Sequence, residues 1–187
     1  MLRSMADWAG TPLLETPRLV LRTFRREDLP SYAELNADPN VTRYLGGPLT
    51  REGSDAIAEW AQEVYEREGI GLLAVERRDD RAFLGMCGLH HFEPYPDEVE
   101  VGWRLAKRYW GNGYATEAAE AWLDHGFTVM SLPRVISVTQ PENLRSLAVM
   151  RRLGMTFDHE ADLEADEDRF HAVVYAITTE GWRHRIE

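Results

Sequence analysis

RLAKRYWGNGYATEA, residues 104–118, joins two kinds of sequence. Just upstream, EVEVGW (98–103) alternates acid and valine with the two-residue period of a half-buried strand. From about Gly113 to Val129, Ala115, Ala118, Ala119, Trp122 and Leu123 fall on one side of a helix. The junction carries Arg104, Lys107, Arg108 and two glycines, Gly111 and Gly113. Glycines have no Cβ, so backbone N–H groups in such a turn can close on a bulky anion. The first turn of a helix leaves four N–H groups unpaired and carries the positive end of the helix dipole. With Arg108 adding full charge and bidentate geometry, the corner reads as a diphosphate cradle. It is not a Rossmann fingerprint, which needs a third small residue where Thr116 stands and an early βαβ unit. Nor is it a P-loop, because Gly-Lys-Ser/Thr is absent.

This basic corner belongs to an acidic chain. The 187 residues include 21 Lys and Arg against 32 Asp and Glu, a formal net charge of -11. Phosphate contacts need concentrated basic residues, so the balance argues against nucleic acid as a partner. The length suits one domain with a sizeable core, and 44% hydrophobic content marks a globular chain. No run approaches 18 apolar residues, so no membrane span is expected. MLRSMADWAGTPLL, broken by Arg3, Asp7 and Gly10, lacks the apolar core of a signal peptide. Residues 1–14 read as a lead-in and 15–187 as the domain, with the cytoplasm as default location and a monomer or homodimer as expected state. Cys87 is the single cysteine, which rules out an internal disulfide and the usual zinc spacings, and no metal is expected.

RLVLRTF (18–24) is a strand in which Leu19, Leu21 and Thr23 alternate with Val20 and Arg22. REDLPSYAELN (26–36) is a short helix ended by DPN (38–40). Thr50 caps a second helix to about Arg67, with Ile57, Trp60, Ala61 and Val64 at helical spacing and Gly69 and Gly71 beyond. Three strands follow, GLLAVER (71–77), AFLGMCGLHHF (82–92) and EVEVGWRL (98–105), joined at RDDR and EPYPD. After the helix from Gly113 come the strand RVISVTQ (134–140) and the helix PENLRSLAVMRRLG (141–154). Two more strands end the chain, the last being FHAVVYAIT (170–178). The order β-α-α-β-β-β-α-β-α-β-β predicts an α/β (α+β) fold, a mixed, mostly antiparallel seven-stranded sheet with helices on both faces.

RYWGNGYATEA resembles motif A of the GNAT superfamily of acetyl-CoA-dependent N-acetyltransferases, Arg/Gln-x-x-Gly-x-Gly/Ala. TPRLVLRTFRREDLPSYAELNADPNVTRYL (16–45) is similar to the opening of its RimJ- and RimL-like branch, which acetylates ribosomal-protein N-termini, and NLRSLAVMRRLGM to its motif B. The likeness runs from about Thr16 to Ile177. It implies that EVEVGWRL and RVISVTQ splay, and that the pantetheine arm of acetyl-CoA lies in the gap. Backbone groups of Trp103, Arg104 and Leu105 would pair with the arm like an added strand. Arg108, Gly111, Asn112, Gly113, Tyr114 and Ala115 would hold the diphosphate, and Asn143 the arm or the Ser146 region. An amine would attack the thioester directly, so the enzyme must remove an amine proton, stabilise an oxyanion and protonate the departing thiolate.

Glu98 and Glu100 share one strand face, with Val99 and Val101 on the other. Glu100 matches a carboxylate often found two residues before the strand glycine in this branch, which implies a base or an amine-orienting group, directly or through water. The superfamily commonly places a tyrosine four residues before the motif B glycine; here that residue is Met150, which cannot donate a proton. Ser146, three residues after Asn143 on the same helical face, matches the branch's Asn-x-x-Ser, as proton donor or as a hydrogen-bonding hydroxyl. Asn143 also suits a helix cap. His90 and His91 near Cys87 point to opposite faces and show no third group for a nucleophilic pair; either has a place beside the acceptor. The expected acceptor is a protein N-terminal amine. A polyamine, amino acid or aminoglycoside is the alternative enzyme reading, and a non-catalytic acyl-CoA-binding module the alternative class. The acidic balance favours a cationic acceptor in every enzyme reading.

Overall fold

The computed structural model describes residues 8–165 and 168–186; the first seven residues of the expected lead-in lie outside the described residues. In chain order the elements are β1 (Pro12–Glu15), β2 (Leu19–Arg22), α1 (Leu29–Ala37), α2 (Arg51–Glu68), β3 (Leu72–Arg77), β4 (Phe83–Phe92), β5 (Tyr95–Leu105), α3 (Tyr114–Thr128), β6 (Arg134–Thr139), α4 (Leu144–Arg152), β7 (Thr156–Ala165), β8 (Asp168–Thr178) and α5 (Thr179–Ile186). They build one sheet in the order β1-β2-β3-β4-β5-β6-β8-β7. Neighbours run antiparallel except β5 and β6, which are parallel.

Among the described residues the sheet therefore has eight strands, not the expected seven. The extra one is β1, whose sequence PLLE has no alternation; its proline sits on an edge strand, where a missing N–H costs no ladder bond. The expected order also lacked α5. That helix carries a glycine, and it is pinned by Trp182, only 2% exposed in the core. The Thr178 hydroxyl accepts from the Gly181 N–H at its start, 3.2 Å.

Helices cover both faces. The stripe Ala118, Ala119, Trp122 and Leu123 of α3 packs with Leu147 and Met150 of α4 and Trp182 of α5 against β-strand residues such as Leu21, Val75, Cys87 and Val101. Burying one such leucine contributes about 1.5–3 kcal/mol. On the other face, Tyr32 and Leu35 of α1 and Ala58 and Ala61 of α2 cover Phe24, Ala74 and Met86. Thr50 caps α2 by accepting from Gly53 N–H, 3.1 Å, and Gly69 closes it at φ 72°. Between β2 and α1, Arg22 is 1% exposed and donates to Asp28 (2.7 and 2.8 Å) and Glu76 (3.0 Å). That buried cluster fixes where α1 starts. Along β5, Val99, Val101 and Leu105 enter the α3 side of the sheet. Glu100, Gly102 and Arg104 therefore face the α1/α2 side. No helix among the described residues is long and apolar enough to cross a membrane.

Candidate active site

Three elements converge: the turn from β5 into α3, the gap between β5 and β6, and the first turn of α4. The turn is shaped by side chains that bind backbone. Trp110 Nε1 donates to the Leu105 carbonyl at 2.8 Å, and Asn112 Nδ2 donates to the carbonyls of Tyr109 (3.1 Å) and Trp110 (3.0 Å). Gly111 and Gly113 adopt φ 78° and 79°, the left-handed region that favours glycine. A Cβ at Gly111 would meet nothing within 4 Å, so the space beside this residue is open. The N–H groups of Gly111 to Thr116 donate to no other described residue. Open space, unpaired donors and the positive end of α3 together fit a diphosphate such as that of coenzyme A. Arg108 stands beside this turn with its side chain half exposed, stacked on Tyr109 at 4.9 Å and 3.7 Å from Glu34. Its guanidinium is available for an anion. A pocket of about 150 Å³ opens next to it, between Leu35 and Val41 on one side and Ala106 and Lys107 on the other.

The sequence did not single out what holds this corner to the sheet. Glu117, in the first turn of α3, accepts from Thr16 Oγ1 (2.6 Å), Arg18 N–H (3.0 Å) and Arg18 Nε (2.6 Å). Arg18 also donates to the Asn112 carbonyl at 3.0 Å and lies over the Tyr114 ring at 4.7 Å. Burial opposes ionisation of Glu117, but the bonds from Thr16 and Arg18 and the Arg18 charge outweigh it and hold the carboxyl below its ordinary value. Ala115 is half buried beside this first turn.

The strands part as expected. β5 and β6 pair at one position, Glu100 with Ile136, so among the described residues β5 has no strand partner on that side from Val101 onward. Glu100, 8% exposed, sits where the strands separate. Its Oε1 accepts from Val138 N–H of β6 at 2.9 Å, and its Oε2 lies 3.3 Å from His90 Nε2. Burial alone would lower the His90 imidazole, but the hydrogen bond and charge of Glu100, with the His91 carbonyl, raise it above its ordinary value. Glu98, by contrast, is tied to Arg134 at 3.2 Å. Trp103 is half buried against the α3 side, and the Leu105 side chain is buried there. Arg104 turns the other way, donating to Asn36 Oδ1 of α1 at 2.7 Å. Asn36 in turn donates to Ser54 of α2 at 2.8 Å.

At the start of α4, Asn143 is both cap and scaffold. Its Oδ1 accepts from Ser146 N–H (3.3 Å), and its Nδ2 donates to Thr139 Oγ1 (3.0 Å) and Ser146 Oγ (3.1 Å). Ser146 Oγ thus accepts one bond and keeps its hydrogen free to donate. Met150 is 1% exposed in the core, away from such a role. Cys87 lies buried on the opposite face of β4 from His90, and burial pushes its thiol up, which makes it a poor nucleophile. Among the described residues no three His, Cys, Asp or Glu side chains converge as a metal site.

Comparison with known proteins agrees with this geometry. Residues 18–156 match the acetyltransferase (GNAT) domain family. The uncharacterized N-acetyltransferase YnaD of Bacillus subtilis is 30% identical over 172 residues, 90% of this chain and 98% of that protein. An acetyltransferase structure from Agrobacterium tumefaciens superposes with a TM-score of 0.76 at 32% identity, covering 89% of this chain and 94% of that one. A GNAT acetyltransferase structure from Bacillus anthracis gives 0.78 at 27% identity, covering 89% and 98%. The chain belongs to the GNAT acetyltransferase family and is an N-acetyltransferase.

Proposed function

We propose that this N-acetyltransferase acetylates the N-terminal amine of a protein or peptide, as in the RimJ- and RimL-like branch, with acetyl-CoA as co-substrate. Acetyl-CoA supplies an activated thioester carbonyl. The turn at Gly111 and Gly113, with Arg108 and the first N–H groups of α3, binds its diphosphate, and the open edge of β5 at Trp103 to Leu105 takes the arm. Glu100 removes or relays the amine proton, and Ser146 presents its hydroxyl hydrogen to the sulfur.

The observation that carries the acceptor assignment is Arg104. It lies on the same face of β5 as Glu100, its bonded partner Asn36 is neutral, and no carboxylate among the described residues pairs with it. A partly buried, uncompensated guanidinium repels a polycation and tolerates a single ammonium followed by neutral or acidic groups. Relatives point both ways: the spermidine N(1)-acetyltransferase of Escherichia coli is 26% identical over 148 residues, and the putative ribosomal N-acetyltransferase YdaF of B. subtilis 27% over 130. Arg104 favours the second reading.

The test is competition. Thiol release from acetyl-CoA is followed with a library of short peptides carrying free N-termini, with spermidine, and with both together, and the acetylated products are identified by mass. Acetylation of peptide α-amines in the mixture supports the proposal. Turnover of spermidine alone overturns it.

A further inference from the structure

Glu100 is gripped from two strands. Besides Val138 N–H of β6, its carboxylate meets His90, which stands directly opposite in the β4–β5 ladder. Nδ1 of His90 lies 3.0 Å from the His91 carbonyl. A carbonyl only accepts, so Nδ1 carries a hydrogen in both charge states of the ring. Nε2 is then the nitrogen whose protonation changes, and it is the one aimed at Glu100 Oε2 across 3.3 Å. Both residues are less than one-tenth exposed, His90 at 9% and Glu100 at 8%. Without a proton between them, a nitrogen lone pair faces carboxylate lone pairs in a poorly hydrated site. With one proton, they form a hydrogen-bonded pair of zero net charge.

The surroundings leave the pair to itself. Trp60 of α2 and Phe92 of β4 present rings to the imidazole, each with centroids 6.5 Å away, and Gly102 of β5 lies against it. Glu100 is the charged side chain acting on it. Trp60 is 45% exposed, so the pair lies just below the surface on the α1/α2 side.

We propose that His90 is a positioning residue for acetyl transfer, orienting Glu100 and receiving at Nε2 the proton that leaves the acceptor amine. The inference rests on Glu100 as the group that takes that proton. The N–H bond of the acceptor breaks with its electron pair left on nitrogen. The proton passes through the Glu100 carboxylate and an Nε2–H bond forms. The pair, entered without its shared proton, returns to the one-proton state and gives that proton to water before the next turnover. Turnover thus needs the unshared form, and the pair's titration sets the rising limb of the pH–rate profile.

Two measurements on the full chain test this. Ring-nitrogen NMR of histidine-labelled protein should show His90 Nδ1 protonated throughout, with Nε2 titrating above the ordinary imidazole value and moving to lower pH in Glu100→Gln. Titration at Nδ1, or an Nε2 midpoint indifferent to Glu100→Gln, overturns the pairing, and this arm needs no folded His90 variant. The second is kcat at saturating acceptor from roughly pH 5.5 to 9.5 for wild type and His90→Gln, whose amide keeps an N–H donor but cannot take up a proton. The expected result is a loss of about 10-fold or more, the low end for a group that takes part in proton transfer, with acetyl-CoA affinity unchanged and the rising limb displaced. A His90→Gln enzyme with wild-type kcat and pH profile sinks the role of His90 while leaving Glu100 in place. Wild-type kcat in Glu100→Gln would instead remove the reading on which it rests.

Discussion

Replacing Glu117 by Gln tests how the corner between β5 and α3 is held, because the isostere keeps the shape and removes the charge. In the native protein the carboxylate takes bonds from Thr16, the Arg18 backbone and the Arg18 guanidinium, and Arg18 reaches on to the Asn112 carbonyl. Charge-assisted bonds contribute about 1.5–3 kcal/mol. The Arg18 side chain is 48% exposed against 16% for Glu117, so solvent screens the pair and the loss should be nearer ~1–2 kcal/mol. At roughly 2–4 °C per kcal/mol for a chain of this size, the melting temperature falls by about 2–8 °C near neutral pH. The sign in acid follows from the depressed carboxyl of Glu117. Its stabilisation is complete above the ordinary carboxylate value and disappears as pH falls through the native value. The gap between wild type and variant should therefore be largest at neutral pH and shrink in acid. Thermal unfolding across that range reads the effect, and amide exchange should speed up at Tyr114 to Ala118. A gap that is constant with pH, or exchange changed elsewhere but not in the first turn of α3, would refute the reasoning.

Arg108→Ala should raise the acetyl-CoA Kd by about 10- to 100-fold, the equivalent of losing ~1.5–3 kcal/mol of charge-assisted bonding, as read by calorimetry. Unchanged affinity would remove Arg108 from the cradle. Ser146→Ala should lower kcat by about 10-fold with the acceptor KM nearly unchanged, since the hydroxyl hydrogen is the group lost. A loss confined to acetyl-CoA affinity would make Ser146 a binding hydroxyl instead. Arg22→Met leaves Asp28 and Glu76 buried without their shared cation and should cost about 3–5 kcal/mol in denaturant unfolding. A cost under ~1 kcal/mol would show that Arg25, which also reaches Glu76, suffices.

Sequence logic succeeded where the signal is local. Thr50 before a periodic run marked the start of α2, Gly69 its end, and the glycines at 111 and 113 occupy the positive-φ positions that favour glycine. Alternation along EVEVGW puts Glu98 and Glu100 on one face, and the family resemblance, not the alternation, singles out Glu100 as a candidate. Its anchoring is not legible in the chain, since Val138 N–H and His90 reach it from other strands. The same holds for Glu117 and Arg18, which lie 99 residues apart and look like ordinary solvated charges in the chain. Arg22 reads as the polar phase of an alternating strand, yet it is buried, because both its carboxylate partners come from outside β2. β1 and α5 escaped for a related reason: PLLE and TEGWRHRI have weak periodicity and are stabilised by what they dock against. Asn112, an expected cofactor contact, also shapes the turn, because its side chain donates to the carbonyls of Tyr109 and Trp110, a local role that the glycine spacing does not signal.

In the proposed mechanism Glu100 takes the amine proton where β5 and β6 separate. The most direct test is kcat for Glu100→Gln with a peptide acceptor, alongside calorimetric binding of acetyl-CoA to the same protein. Loss of the base should reduce kcat by roughly 10²–10⁴-fold while acetyl-CoA binds as tightly as to wild type. Near-native kcat in a variant with native affinity would contradict it.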